Sequence, residues 1–253
     1  HANEFAGFER HGDAWQLLLD SSGNVYTTGA TQGALGEANG GSYDTYVLKL
    51  NSSGVLQWIT QFGATTTGPG GSNTNIDYGN GIAIDTNNNI YSVGYTQSAL
   101  GEAPGGFIDS FVMKLNSTGA LQWVTQLGAV TGVAGGNSAD SDACNDVSID
   151  SSNNIYCTGY TQGAVGEATG GGTNDAFIMK LNSSGTLQWI TQFGAITKAT
   201  GGDNSGSEEC NGAATDTRGN IYCSGFTQGA LGETNGGGGL ADMFILKLDS
   251  TGK

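Results

Sequence analysis

The stretch Lys114-Leu-Asn-Ser-Thr-Gly-Ala-Leu-Gln-Trp-Val-Thr-Gln-Leu-Gly128 decides the fold of this chain, because close copies of it start at Lys49 and Lys180. A fourth copy begins at Lys247 and stops at Lys253. Each reads as two strands around a tight turn. Lys-Leu-Asn closes one strand, Ser-Thr-Gly supplies turn chemistry with a glycine free to take positive φ, and Leu-Gln-Trp-Val-Thr-Gln-Leu is rich in β-branched and aromatic residues.

Working outward, Tyr26, Tyr91, Tyr156 and Tyr222 recur at spacings of 65, 65 and 66 residues. A fixed period of this size marks a solenoid, propeller or array. Each unit holds four strand signals, A to D. In the second unit these are Asn80-Gly-Ile-Ala-Ile-Asp85, Asn89-Ile-Tyr-Ser-Val-Gly-Tyr-Thr96, Asp109-Ser-Phe-Val-Met-Lys-Leu-Asn116 and Leu121-Gln-Trp-Val-Thr-Gln-Leu127. No segment shows a 3.6-residue period. The pattern predicts an all-β, four-bladed β-propeller with four antiparallel strands per blade. It forms a single domain over 1–253, with blades near 13–63, 79–128, 144–194 and 210–249. Strand A is the expected innermost strand, since small residues in Gly81-Ile-Ala, Asp146-Val-Ser and Gly212-Ala-Ala suit a crowded axis. The last unit lacks strand D, so residues 1–10, with Phe5 and Phe8, are expected to close the ring as its outer strand. The rival reading is a piece cut from a longer array.

Asp-x-Phe-Val-x-Lys-Leu-Asn-Ser-Ser-Gly-x-Leu-Gln-Trp, followed by Ile-Ala-Ile-Asp-x-x-x-Asn-Ile-Tyr-x-x-Gly-Tyr-Thr, resembles the bacterial SBBP β-propeller repeat over essentially residues 13 to 253. The resemblance implies an exported or surface-located propeller, often within large repeat proteins, and brings no shared catalytic set. The family's name refers to seven blades, whereas this chain offers four units with longer connections.

Eight basic against twenty-three acidic residues leave a formal charge of -15 and argue against nucleic acid or an anionic membrane as partner. No apolar run approaches the roughly 18 residues needed to span a bilayer. Glycine, at 45 residues against 2 prolines, fits many tight turns rather than collagen or a proline-rich coil.

The up-and-down order puts the short A–B and C–D turns on one face of the disc and the long B–C and D–A connections on the other. Loops on a rigid scaffold are where binding usually lives. The B–C loop repeats a motif that opens on Gln32, Gln97, Gln162 and Gln228 and ends at Glu37, Glu102, Glu167 and Glu233. These residues form the candidate ligand-binding face. The four glutamates could hold Ca²⁺ weakly, or each could cap its own loop, and no cofactor is required. Asp20, Asp85, Asp150 and Asp216 open the A–B turns and are expected to bond their own backbone. Asp44, Asp109, Asp175 and Asp242 precede Lys49, Lys114, Lys180 and Lys247 by five residues, which suggests ion pairs between neighbouring strands. Asn51, Asn116 and Asn182 match the glycosylation pattern, although turn chemistry alone selects the same residues.

Cys144 and Cys157, like Cys210 and Cys223, lie 13 apart at matching positions of two repeats. Presence or absence in pairs favours a bond within each blade, although free thiols or cross-blade pairing stay open. A simple A–B turn sets Cys157 opposite Val147 rather than Cys144, so a bulge or bend at Cys144 is needed to bring the sulfurs together. Bonded cysteines suit an extracellular, cell-surface or periplasmic protein.

Only His1 and His11 exist, which removes Ser-His-Asp, Cys-His and His-rich metal chemistry. The candidate acids are nearly all repeated by symmetry, whereas catalysis needs unlike groups. The sequence therefore reads as a non-enzymatic secreted or cell-surface module that binds a surface glycan or protein. The alternatives are a structural repeat that assembles with copies of itself, and a carboxylate-dependent glycan hydrolase.

Overall fold

A computed structural model describes residues 12–35, 39–63, 75–97, 99–100, 107–128, 140–165, 173–194, 206–229, 231 and 240–253. Among these, the chain is all β, with no helix. Blade one holds β1 (Gly12–Leu19), β2 (Val25–Thr31), β3 (Asp44–Leu50) and β4 (Leu56–Phe62). Blade two holds β5 (Asp77–Ile84), β6 (Ile90–Thr96), β7 (Asp109–Leu115) and β8 (Leu121–Leu127). Blade three holds β9 (Asp142–Ile149), β10 (Ile155–Thr161), β11 (Asp175–Leu181) and β12 (Leu187–Phe193). Blade four holds β13 (Glu208–Thr215), β14 (Ile221–Thr227) and β15 (Asp242–Leu248). Three sheets have four strands, the last has three, and all pair antiparallel in chain order.

The A–B turns form as their composition dictates. Asp150 Oδ1 accepts the backbone N–H groups of Ser152 and Asn154, and its Oδ2 accepts from Asn154 Nδ2 and Tyr156 Oη. Asp20, Asp85 and Asp216 repeat the arrangement. Burial works against the charge on Asp85 and Asp150, but these bonds outweigh it and hold both carboxyls below the usual range. In the C–D turns, Asn51 Oδ1 accepts from Ser53 and Val55 N–H, which accounts for the asparagine through turn chemistry.

Blades dock through one repeated junction. Tyr156, Ala176 and Ile178 of blade three pack on Cys210, Ile221, Cys223 and Leu248 of blade four. Tyr91, Val93 and Val112 pack likewise on blade three, and Tyr26 and Val47 on blade two. At the outer rim Thr60, Thr125 and Thr191 hydroxyls donate to the carbonyls of Gly119, Gly185 and Gly252 of the following blade. Single parallel bridges, Tyr43 to Ile76, Ile108 to Ser141 and Asn174 to Ser207, stitch consecutive blades near the long-loop end.

The expected strand from residues 1–10 and the loop glutamates Glu37, Glu102, Glu167 and Glu233 lie outside the described residues. The described blades leave the ring open. Leu17 and Leu19 on blade one are 67% and 62% exposed, and Met243 and Ile245 on blade four 80% and 71%.

The lysines also differ from expectation. Lys49, Lys114, Lys180 and Lys247 lie over the rings of Tyr26, Tyr91, Tyr156 and Tyr222 at 5.0 to 5.6 Å. Asp44, Asp109 and Asp175 instead accept the amides of Gln61, Gln126 and Gln192. The in-register ladders pair Asp44 with Thr31 and Lys49 with Tyr26, so acids and lysines gather at opposite ends of the strands.

Candidate functional site

The innermost strands β1, β5, β9 and β13 each carry an irregularity at the same place. Pairing skips Trp15 between Ala14 and Gln16, Asn80 between Gly79 and Gly81, and Asn211 between Cys210 and Gly212. On β9 it passes from Cys144 to Asp146. A bulge re-aims the extra side chain. Trp15, Asn80, Asn145 and Asn211 thus line one cavity of about 360 Å³ with Gln16 and Asp146.

The amides of this cavity are already engaged. Asn80 donates to the Cys144 carbonyl, and Asn145 to the Cys210 carbonyl and Asn211 Oδ1. Gln16 of blade one donates to Asp146 of blade three at 3.1 Å and accepts from Ile82 N–H. Asp146 also accepts from Ala213 N–H of blade four. The ring ties all four blades together at the axis. Glycines at 81 and 212 leave room for it, since a Cβ on Gly81 would stand 3.0 Å from the Asp146 Cα.

The same bulge answers the cysteine geometry. Cys157 faces Val147 and Gly159 faces Cys144, as the sequence required. The extra residue Asn145 bends β9 so that Cys144 and Cys157 are bonded with their Cα atoms 5.9 Å apart. Cys210 and Cys223 repeat this at 5.8 Å. Both bonds lie within a blade, and no described cysteine is free.

Toward the long-loop end, the first position of β5, β9 and β13 holds a buried acid, Asp77, Asp142 or Glu208, that accepts from Thr96, Thr161 or Thr227. These are the symmetric acids, and they are structural. The second position breaks the symmetry, with Asp13, Tyr78, Ala143 and Glu209. Across the ladder from them stand Ala30, Tyr95, Tyr160 and Phe226.

Tyr43 and Tyr95 flank Tyr78 with ring centroids 5.1 and 5.2 Å away, the second pair stacked. Burial, these two tyrosines and the charge of Asp13 push Tyr78 up to about 12. Tyr160 is raised by burial, then by Glu209 and Tyr95. A tyrosine arc therefore runs from Asp13 on blade one to Glu209 on blade four. Burial pushes the Glu209 carboxyl up, partly offset by the 2.9 Å bond from Asn174 Nδ2. Asp13 is exposed.

Of the residues singled out in the sequence, Gln32, Gln97, Gln162 and Gln228 sit where the B strands leave the sheet. Backbone N–H groups of the last three donate to Ile76, Ser141 and Ser207, and Gln162 Nε2 bonds Asn174. Gln162 thereby reaches the partner of Glu209. Among the described residues, no group of three or more His, Cys, Asp or Glu could hold a metal ion. Asp13, Glu209, Tyr95 and Tyr160 were not singled out in the sequence. The signal for the acids was available as an acid in the first and last repeats where the middle two hold Tyr78 and Ala143.

The family model described as "SBBP: Beta-propeller repeat" matches residues 57–102 and 122–167. The chain carries SBBP β-propeller repeats. Each match starts at the outermost strand of one blade and runs into the next, so the SBBP unit spans a blade junction rather than a blade. No curated protein matches the chain.

Solved structures that resemble it include a GH43 β-1,3-galactosidase at 11% identity and TM-score 0.46, covering 96% of this chain and 78% of that one. A xylan β-1,4-xylosidase from Bacillus halodurans matches at 11% and 0.41 over 95% of this chain, which spans 42% of the xylosidase. An exo-1,5-α-L-arabinanase from a bovine ruminal metagenomic library matches at 8% and 0.39, covering 94% and 75%. The non-enzymatic reading is corrected here. Glycoside hydrolases stand among the similar structures, and Asp13 and Glu209 are acids that the middle two blades do not repeat. At these scores the likenesses assign no activity to this chain.

Proposed function

We propose that the chain hydrolyses a glycosidic bond at the long-loop end of its axis. Glu209 is the general acid, and Asp13 the carboxylate that acts as base or nucleophile. The supporting observation is the pair itself. Two acids that the middle blades lack, in unlike surroundings, one half-buried with a raised pKa and one exposed, end an arc of tyrosines. Unlike surroundings let two carboxyl groups divide acid and base roles. Tyrosine offers an apolar face to a sugar ring and a hydroxyl to its oxygens. Glu209 gives its proton to the leaving glycosidic oxygen as the C–O bond breaks, and water supplies the new oxygen at the anomeric carbon.

The test is reducing-sugar release from a panel of polysaccharides. Glu209→Gln and Asp13→Asn should each lower the rate by about 10²–10⁴-fold at unchanged melting temperature. Because Glu209 must carry its proton, the rate should fall as pH rises through a pKa above the usual glutamate value. No release by the wild-type protein, or release indifferent to both substitutions, would sink the proposal.

Two further readings belong here. The disulfides call for an oxidising compartment, and we assign it as extracellular or cell-surface. We propose that residues 1–10 furnish a fourth strand to the last sheet, which has three among the described residues. Deleting them should lower the melting temperature by opening an edge, and an unchanged midpoint would remove that strand.

A further inference from the structure

We infer that the forward face of blade four and the backward face of blade one are one interface, made between two copies of this chain arranged head to tail. The argument is continuity with the junction that the chain already uses between its own blades. Ile245 and Met243 occupy the places of Ile178 and Ala176, which are fully buried against blade four. Leu17 occupies the place of Ile82 and Val147, which are 4% and 6% exposed against the preceding blades. At the two chain ends the same positions are 71%, 80% and 67% exposed.

The rim agrees. A Cβ on Gly119, Gly185 or Gly252 would meet Trp58, Trp123 or Trp189 of the preceding blade, whereas one on Gly54 of blade one would meet nothing within 4 Å. Lys114 and Lys180 donate to the carbonyls of Ser183 and Ser250 in the next blade. By the same register Lys247 would reach Ser52 of the second copy. Two copies joined this way cover an apolar end face on each, and a head-to-tail contact makes a ring when its rotation closes.

Sedimentation equilibrium on the whole chain tests this. The wild type should sediment as a dimer whose association strengthens with salt, since each copy carries a formal charge of -15. Ile245→Asp and Leu17→Asp should each weaken association at least about 100-fold, as loss of a central anchor does. Circular dichroism should be unchanged, because both residues are exposed in the single chain. A wild type that stays monomeric at about 100-fold higher protein concentration would mean that the ring closes on itself, and would overturn the proposal. So would a Leu17→Asp variant that remains dimeric, because a face that pairs only with its own copy does not need Leu17.

Discussion

The junction between blades three and four and the two outward faces at the chain ends are built from the same repeat, yet only the junction is buried. Ile178 has no exposed surface, while Ile245, the same residue type at the same strand position, is 71% exposed. Sequence pattern therefore specifies a face that is ready to dock. Whether it docks depends on what the chain supplies next. The difference also shows that the core of this molecule lies between blades, not within them.

The comparison would break most visibly at the isoleucines. Ile178→Ala should cost about 2–5 kcal/mol, as cavities in packed cores do, whereas Ile245→Ala should stay within about 0.5 kcal/mol when measured on the dissociated chain. Equal losses in urea melts would mean that the end face is as buried as the junction.

The disulfides sharpen it from the other side. Each closes a loop with a sequence separation of 13 within one blade. Replacing Cys144 and Cys157 together by alanine should cost roughly 3 kcal/mol, and the same change at Cys210 and Cys223 should match it. A much smaller loss at the second pair would show that blade four folds independently of blade three.

The turn glycines come next in size. Gly54 and Gly119 have φ of 78° and 82°, so alanine strains both by about 1–2 kcal/mol. Only Gly119 has a neighbour in the way, with the Trp58 ring 2.7 Å from an added Cβ. Gly119→Ala should be the more destabilising in thermal melts. A Gly54→Ala variant that loses as much would indicate an occupied end face.

The smallest effect concerns the lysines. Lys180→Met removes a cation over Tyr156 and a bond to Ser250, and should cost about 0.5–1 kcal/mol. Lys247→Met, over Tyr222 at the open end, should cost less, as double measurements by chemical denaturation can resolve.

Much of this architecture was legible in the sequence because a β-strand records its surroundings locally. The apolar run in Asp-Ala-Phe-Ile-Met-Lys-Leu181, the Asp-x-x-x-Asn turns and the repeat spacing each depend on neighbours a few residues away. They determined the strands, their order in each blade and the innermost position of strand A, and they favoured the pairing that the cysteines take. The site was not legible. Asp13 and Glu209 stand 196 positions apart, and their relation exists only because four blades turn around an axis and set β1 and β13 at the two ends of the tyrosine arc. The bulges at Trp15, Asn80, Asn145 and Asn211 likewise follow from the packing of inner strands against each other, which the sequence hints at only through the glycines beside Asn80 and Asn211. Repetition determined the blade. Where the departures from it meet was decided by the tertiary arrangement, because packing around the axis joins residues that no local rule connects.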